Sequence, residues 1–230
     1  MDADRPTASP IATGVWRVSN RKFRSNTFIS ALSTTECFVV DPGTDPDLLL
    51  QTLDELALVP RFVALTHGHF DHAGGASVLQ ERFGTPVLMD LADRKTVKAS
   101  NFLLMAFKVP FTMSMPNLDS IELLDEISEG RVTSIAAPGH TPGSVVIRHG
   151  SNCFTGDTLY ADGIGLSKLP GEDHDVLRAS LRRLWDALEP TWTVHPGHGA
   201  SMAFGDIRTS NAALLDFLAL DDHPSEAVTR

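Results

Sequence analysis

The sequence predicts a mixed α/β (α+β) chain folded as a four-layer αββα sandwich. Strand-like runs come in two sets, each closed by helical segments, and helices that cover two packed sheets answer that order. Three apolar runs, moreover, end in loops of one kind: "THGHFDH" at 66–72, "PGHT" at 138–141 and "PGHG" at 196–199. Strand-end loops are where a rigid scaffold presents ligands.

Taken in order, residues 1–10, "MDADRPTASP", read as a loose polar tail, and residues 11–230 as one domain. Strands follow at "GVWRVS", "NTFISAL" and "CFVVDPG", the last closing on the turn signal Asp41-Pro42-Gly43. Pro46 opens a helix that places Leu49, Leu53 and Leu56 on one face. "RFVAL" at 61–65 is a buried strand leading into the first histidine loop, "GGASVLQERFG" a helix ending at Gly84, and "PVLM" a strand. Residues 91–118 mix Lys95, Lys98, Met105, Phe107, Phe111 and Met113 with two prolines, which predicts a helix and loop covering a site. Strands resume at "SIELLDEI", "RVTSIAAPG", "SVVIRHG" and "NCFTGD". Leu177, Leu181, Leu184 and Leu188 mark a helix over 174–188, followed by the strand "TWTVH" and a last helix near 205–220.

The net charge of −10 argues against nucleic acid or an anionic membrane as partner, because counterion release needs a basic surface. "RKFR" at 21–24 is too short to change that. With no leader-like N-terminus and no apolar run of ~20 residues, a cytoplasmic enzyme with a small-molecule substrate is the expectation. Cys37 and Cys153 sit in apolar strands and read as buried thiols, not as a disulfide framework.

Chemistry concentrates in the loops. His67 and His69 are two apart on an extended backbone, so their side chains point the same way and can converge on one ion. Asp71 and His72 can turn toward a second point nearby. Such a group at the end of a buried strand needs a partner, and a divalent cation suits imidazole and carboxylate together. His140, Asp157 and His198 each stand at a strand end beside glycine, which permits close backbone approach. His149, His195 and His223 read as structural or surface residues.

The series T-H-x-H-x-D-H, G-H-T-P-G-S, G-D and P-G-H-G, spread over about residues 12–212, resembles the metallo-β-lactamase superfamily. "LPGEDHDVLRASL" at 169–181, and "PGHG" followed by "FGDIRTSN", look most like its single-domain glyoxalase II-type hydrolases. The resemblance implies two divalent metal ions, zinc first and iron or manganese as alternatives. His67, His69 and His140 would hold one; Asp71, His72 and His198 the other; Asp157 would bridge them. A centre of two dications, two aspartates and a hydroxide keeps a charge of about +1 and lowers the pKa of bound water toward ~7. Asp71 and Asp157 would be catalytic, orienting the hydroxide and handling its proton as it attacks a carbonyl.

The same resemblance implies a thioester such as an S-(hydroxyacyl)glutathione. Lactone or β-lactam hydrolysis, a mononuclear iron persulfide dioxygenase and a non-catalytic metal-binding domain are the alternatives. Two departures bear on the substrate: "GLSK" at 165–168 stands where relatives commonly read G-R-S/T-D, and "IRTSNA" where they read E-R-x-x-N-P. Leu166, Lys168, Ile207 and Ala212 are the changed positions. The candidate substrate contacts are Lys95, Lys98, Asn101, Tyr160 and His174.

Overall fold

The structure, a computed structural model, describes residues 8–167 and 169–219; Lys168 and His223 lie outside the described residues. β1 (Ser9–Ala12), β2 (Val15–Ser19), β3 (Asn26–Ala31) and β4 (Glu36–Val40) form an antiparallel meander, to which β5 (Val59–Ala64), β6 (Val87–Met89) and β7 (Leu118–Ser120) add in parallel. α1 (Pro46–Leu56) carries the chain from β4 to β5, and α2 (Phe70–Ala73) with α3 (Ala76–Phe83) from β5 to β6. The second sheet runs β12 (Met202–Ala203), β11 (Thr193–Pro196), β10 (Asn152–Gly156), β9 (Val145–His149), β8 (Val132–Ala136). Helix α6 (His174–Ala187) crosses between the parallel pair β10 and β11.

Side-chain alternation explains the layers. Phe38 and Val40 of β4 face inward with Phe28, Phe62, Ile147 and Phe154, making the sheet-on-sheet core. Phe38 stacks on its register partner Phe62, 5.1 Å away between centroids, and meets Phe154 edge-on at 6.1 Å. Cys37 and Val39 face the opposite way and pack with Leu49, Leu53, Leu79 and Val97 of α1, α3 and α4 (Arg94–Ala106). On the far side, Val146, Cys153 and Val194 meet Leu177, Leu181 and Leu184 of α6. The result is helix, sheet, sheet, helix, as the sequence predicts. His149 reaches across from β9 to β3, its Nδ1 2.9 Å from Ser30 Oγ. Both cysteines are buried and free, and burial pushes each thiol up to about 12. No helix among the described residues is long and apolar enough to cross a membrane.

Four boundaries differ from the sequence reading. The tail is shorter, because Ser9 and Pro10 pair with Arg17 and Trp16 in edge strand β1, where proline's missing donor is tolerated. "SIELLDEI" is a 3-10 turn (Ile121–Leu123) running into α5 (Leu124–Ser128). Its buried positions, 121, 124 and 128, follow helical spacing, and the Ser120 side chain caps Glu122 N–H. The last helix is two, α7 (Phe204–Ser210) and α8 (Ala212–Ala219), broken where the Asn211 side chain caps Leu214 N–H and donates to Gly163 O. The short edge strand β12 has no period to reveal it.

Candidate metal centre

The antiparallel-to-parallel switch puts the carboxyl ends of β4 and β5 side by side, with Val40 opposite Ala64. A crevice outside strand ends is where open α/β sheets present their sites. From β5 the chain runs through Thr66 to His67 and His69, then turns into α2, carrying Asp71 and His72. Gly68 is required between the two histidines: a Cβ there would lie 2.9 Å from Val97 Cγ2 and 3.0 Å from Asp93 O. The second sheet delivers His140 after β8, Asp157 after β10 and His198 after β11. Gly197 is as constrained, since a Cβ would stand 2.3 Å from Asp157 Oδ1 and 2.5 Å from His72 Cε1.

All seven predicted side chains meet at this seam. His67 Nε2 lies 3.1 Å from His69 Nδ1, and His140 Nε2 lies 3.0 Å from the same atom. His198 Nε2 is 3.3 Å and His72 Nε2 3.6 Å from Asp71 Oδ2. Asp157 touches both sets: Oδ1 is 3.5 Å from His72 Nε2, and Oδ2 is 3.6 Å from both His140 Nε2 and His198 Nε2.

This donor set fits divalent cations. Two nitrogens held at ~2.0–2.1 Å from a tetrahedral ion stand about 3.3 Å apart, close to the spacing of the three imidazoles. His72 Nε2 and Asp157 Oδ1, both at the centre, are buried and have no hydrogen-bond partner, a costly state for polar atoms that only another group can relieve.

The ring orientations are fixed from behind. Asp41 accepts from Thr66 N (2.8 Å) and Thr66 Oγ1 (2.6 Å), and its Oδ2 lies 2.9 Å from His72 Nδ1. With its proton given to Asp41, Thr66 Oγ1 accepts from His67 Nδ1, 3.0 Å away. Nδ1 of both His67 and His72 is thereby committed away from the centre, and each ring turns Nε2 toward it. Asp93, fully buried, accepts from Gly68 N (2.8 Å), Thr141 Oγ1 (2.7 Å) and Gly143 N (2.7 Å), tying the His67–His69 loop to the His140 loop. Glu172, its side chain 3% exposed, accepts from Ser167 N at 2.9 Å and faces His140 Nδ1 at 3.5 Å.

The electrostatics split in two. Burial, then the neighbouring His72, His69 and His140, push His67 well below the ordinary histidine range. Burial and His140 bring His69 down to about 4. On the other side burial opposes charge but loses. Asp157 and Asp71 hold His72 well above its usual value, while His72 and its neighbours hold Asp157 well below the carboxylate range. Against burial, the Asp71 hydrogen bond and the Asp157 charge raise His198, and His72 and His198 lower Asp71. Two converging carboxylates make this a place that draws a cation.

The candidate substrate contacts divide. Tyr160 lies against the centre, where burial and then the Asp157 carboxylate push its phenol upward. His174, half-exposed, reaches Glu172 (3.4 Å) and not the seven directly. Lys95 and Lys98 point to solvent from α4; Lys98 borders a hollow with Arg94, Met115 and Leu118 that includes none of the seven. Asn101 is committed to the main chain of Met113, donating to its carbonyl (2.8 Å) and accepting from its N–H (2.9 Å). Met113 is core, Phe111 packs beside Gly74, and Met105 and Phe107 are exposed. Asp41, Asp93 and Glu172 are not among the site residues that the sequence predicts. Only Asp41 had a signal, a carboxylate closing a buried strand, and the following Pro-Gly makes it read as a turn.

A model of the metallo-beta-lactamase superfamily matches residues 21–198. The chain is 31% identical over 189 residues to the hydroxyacylglutathione hydrolase GloC of Haemophilus influenzae, covering 76% of this chain and 86% of that one. It is 29% identical over 172 residues to PksB of Bacillus subtilis, described as a probable polyketide biosynthesis zinc-dependent hydrolase, covering 74% and 70%. The crystal structure of TTHA1623 in a di-iron-bound form superposes with a TM-score of 0.77 at 29% identity, covering 85% of this chain and 98% of that one.

Proposed function

The chain belongs to the metallo-beta-lactamase superfamily, and from that premise we propose that this metal-dependent hydrolase cleaves a small thioester in the cytoplasm. The observation that carries the reading is the meeting of His67, His69, Asp71, His72, His140, Asp157 and His198, with the buried His72 Nε2 and Asp157 Oδ1 left without partners. The chain from β1 onward acts as one catalytic domain. His67, His69 and His140 would hold the first ion and Asp71, His72 and His198 the second, with Asp157 within reach of both groups. Zinc suits this set, and the di-iron form of TTHA1623 makes iron the competitor. Bound there, the pair supplies Lewis acidity and a water of lowered pKa.

The chain's own residues do the rest. The Asp71 and Asp157 carboxylates line the mouth, 15% and 11% exposed, and orient the attacking water by accepting its hydrogen bonds. Asp71 takes up the proton through the carboxylate oxygen that does not face His72 and His198 as the carbonyl is attacked, and returns it to the departing thiolate. Tyr160 stays protonated through burial and donates at the edge of the site. The 31% identity to GloC supports the thioester over lactone or β-lactam substrates. Elemental analysis with a side-by-side assay of S-lactoylglutathione, acyl-homoserine lactones and nitrocefin tests this. Two metals per chain and preferential thioester cleavage are expected. One iron per chain with oxygen consumption, or lactone turnover alone, would overturn it.

A further inference from the structure

The metal centre is most exposed at His198. His198 is 30% exposed, while His72 and His140 are 0% and 3%. Beside that residue lies a hollow of ≈ 460 Å³ formed by β2, the β2–β3 loop and the segment after His198, with Gly199 in its wall. Three guanidiniums line it: Arg17, Arg21 and Arg24. The bridge between Ser25 and His198 sets Arg24 immediately beside the ligand loop. The loop is held in an uncommon shape, with Phe23 and Arg24 both left-handed at φ 62° and 56°, and Phe23 packed edge-on against Phe70 at 4.9 Å. Ser25 Oγ anchors it by donating to Asp71 O at 2.7 Å.

The cations of this hollow are poorly answered. Arg17 donates one weak bond to Gly199 O (3.3 Å), and its Nε is buried with no partner. Arg24 has no partner among the described residues. Arg21 meets Asp45 at 3.5 Å with its own side chain 74% exposed. The amides nearby are already used: Asn26 Nδ2 donates to Pro196 O and Gly199 O, both 2.9 Å. Three positive groups against one carboxylate, on a chain of net charge −10, make a basin that a negative group would fill. Guanidinium forks match the planar or tetrahedral oxygens of carboxylate and phosphate.

We propose that the Arg17–Arg21–Arg24 hollow is a substrate subsite that binds a carboxylate or phosphate remote from the scissile carbonyl. The substrate is thus an anionic thioester, positioned with its charge beside Gly199 and its acyl carbon at the metals. The identity of the scissile bond rests on the thioester reading; the anion site stands apart from it and is tested apart.

The binding test follows the Arg17 Nε–H resonance of ¹⁵N-arginine-labelled, zinc-loaded protein through a millimolar titration with inorganic phosphate and, separately, acetate. A saturable shift with one of them is expected and tells the two anion classes apart; R24Q should weaken it about tenfold, the size of a charge-assisted hydrogen bond. No shift with either anion, or a shift that R24Q leaves untouched, overturns the subsite. The kinetic test compares acetyl-coenzyme A and S-acetyl-3-mercaptopropionate with neutral S-acetyl-2-mercaptoethanol. The anionic-to-neutral ratio of kcat/KM should exceed one in the wild type and drop about tenfold in R24Q, through KM. A ratio of one in the wild type sinks the proposal. Failure to cleave any thioester, with the Arg17 shift present, sinks the thioester reading alone.

Discussion

Three carboxylates outside the predicted seven, Asp41, Asp93 and Glu172, decide how the imidazole loops stand. Glu172 is the sharpest case, because His140 Nδ1 faces it at 3.5 Å and has no other partner. Glu172→Ala should lower zinc affinity by roughly 10–100-fold, with Glu172→Gln recovering part of it through the retained oxygen, as read by competition with a chromophoric chelator. An affinity that neither change moves would remove Glu172 from this role. His195, away from the centre, gives a pH prediction. Its ring stacks on Phe154, with Nδ1 2.7 Å from Ser201 Oγ and Nε2 3.0 Å from Asn152 Oδ1. Burial and then Arg17 bring it from 6.5 to about 4. The folded state therefore binds this proton less tightly than the unfolded chain. The stabilisation, about 3 kcal/mol, is complete above pH ~6.5 and is lost as pH falls toward ~4. Urea titrations of His195→Gln should show about one proton less of linkage across that window than the wild type.

At the level of elements, α6 joins the second sheet to the His140 loop. The Asp173 side chain caps the helix at Asp175 N–H and Val176 N–H, while Asp173 N–H donates to Gly139 O at 2.7 Å. Leu181, 2% exposed, is the centre of its seat on Cys153 and Val194. Leu181→Ala should cost about 2–5 kcal/mol in urea unfolding, where a loss below ~1 would mean that the seat collapses around the gap. The contrast with α5 shows what a sequence can disclose. Leu177, Leu181, Leu184 and Leu188 repeat long enough to exclude a strand. In "SIELLDEI" the apolar residues fit both periods over eight positions, and only burial against the sheets picks out 121, 124 and 128. Five of the seven donors are legible because each sits beside a glycine in a short loop, and Asp71 and His72 because they follow His67 and His69 at once. Asp93 was not, because its partners Gly68 and Gly143 lie 25 and 50 residues away and no local pattern links them.

For the whole molecule, a site drawn from both sheets couples metal to folding. Removing the ions leaves the buried His72 Nε2 and Asp157 Oδ1 unanswered. Chelation should lower the melting temperature, and added zinc should raise it with a logarithmic dependence on free metal. A melting temperature blind to chelator would contradict the reading.

That shared ownership of the site reaches further. The four donors between 67 and 72 precede the Glu129–Gly130 turn in the chain, and the other three follow it. A protein nicked at this turn would thus yield two pieces, each with an incomplete coordination sphere and one bare sheet face. Metal uptake by the mixed pieces, and by neither alone, would then serve as a readout of their reassembly, with the ion acting as a rivet between the halves.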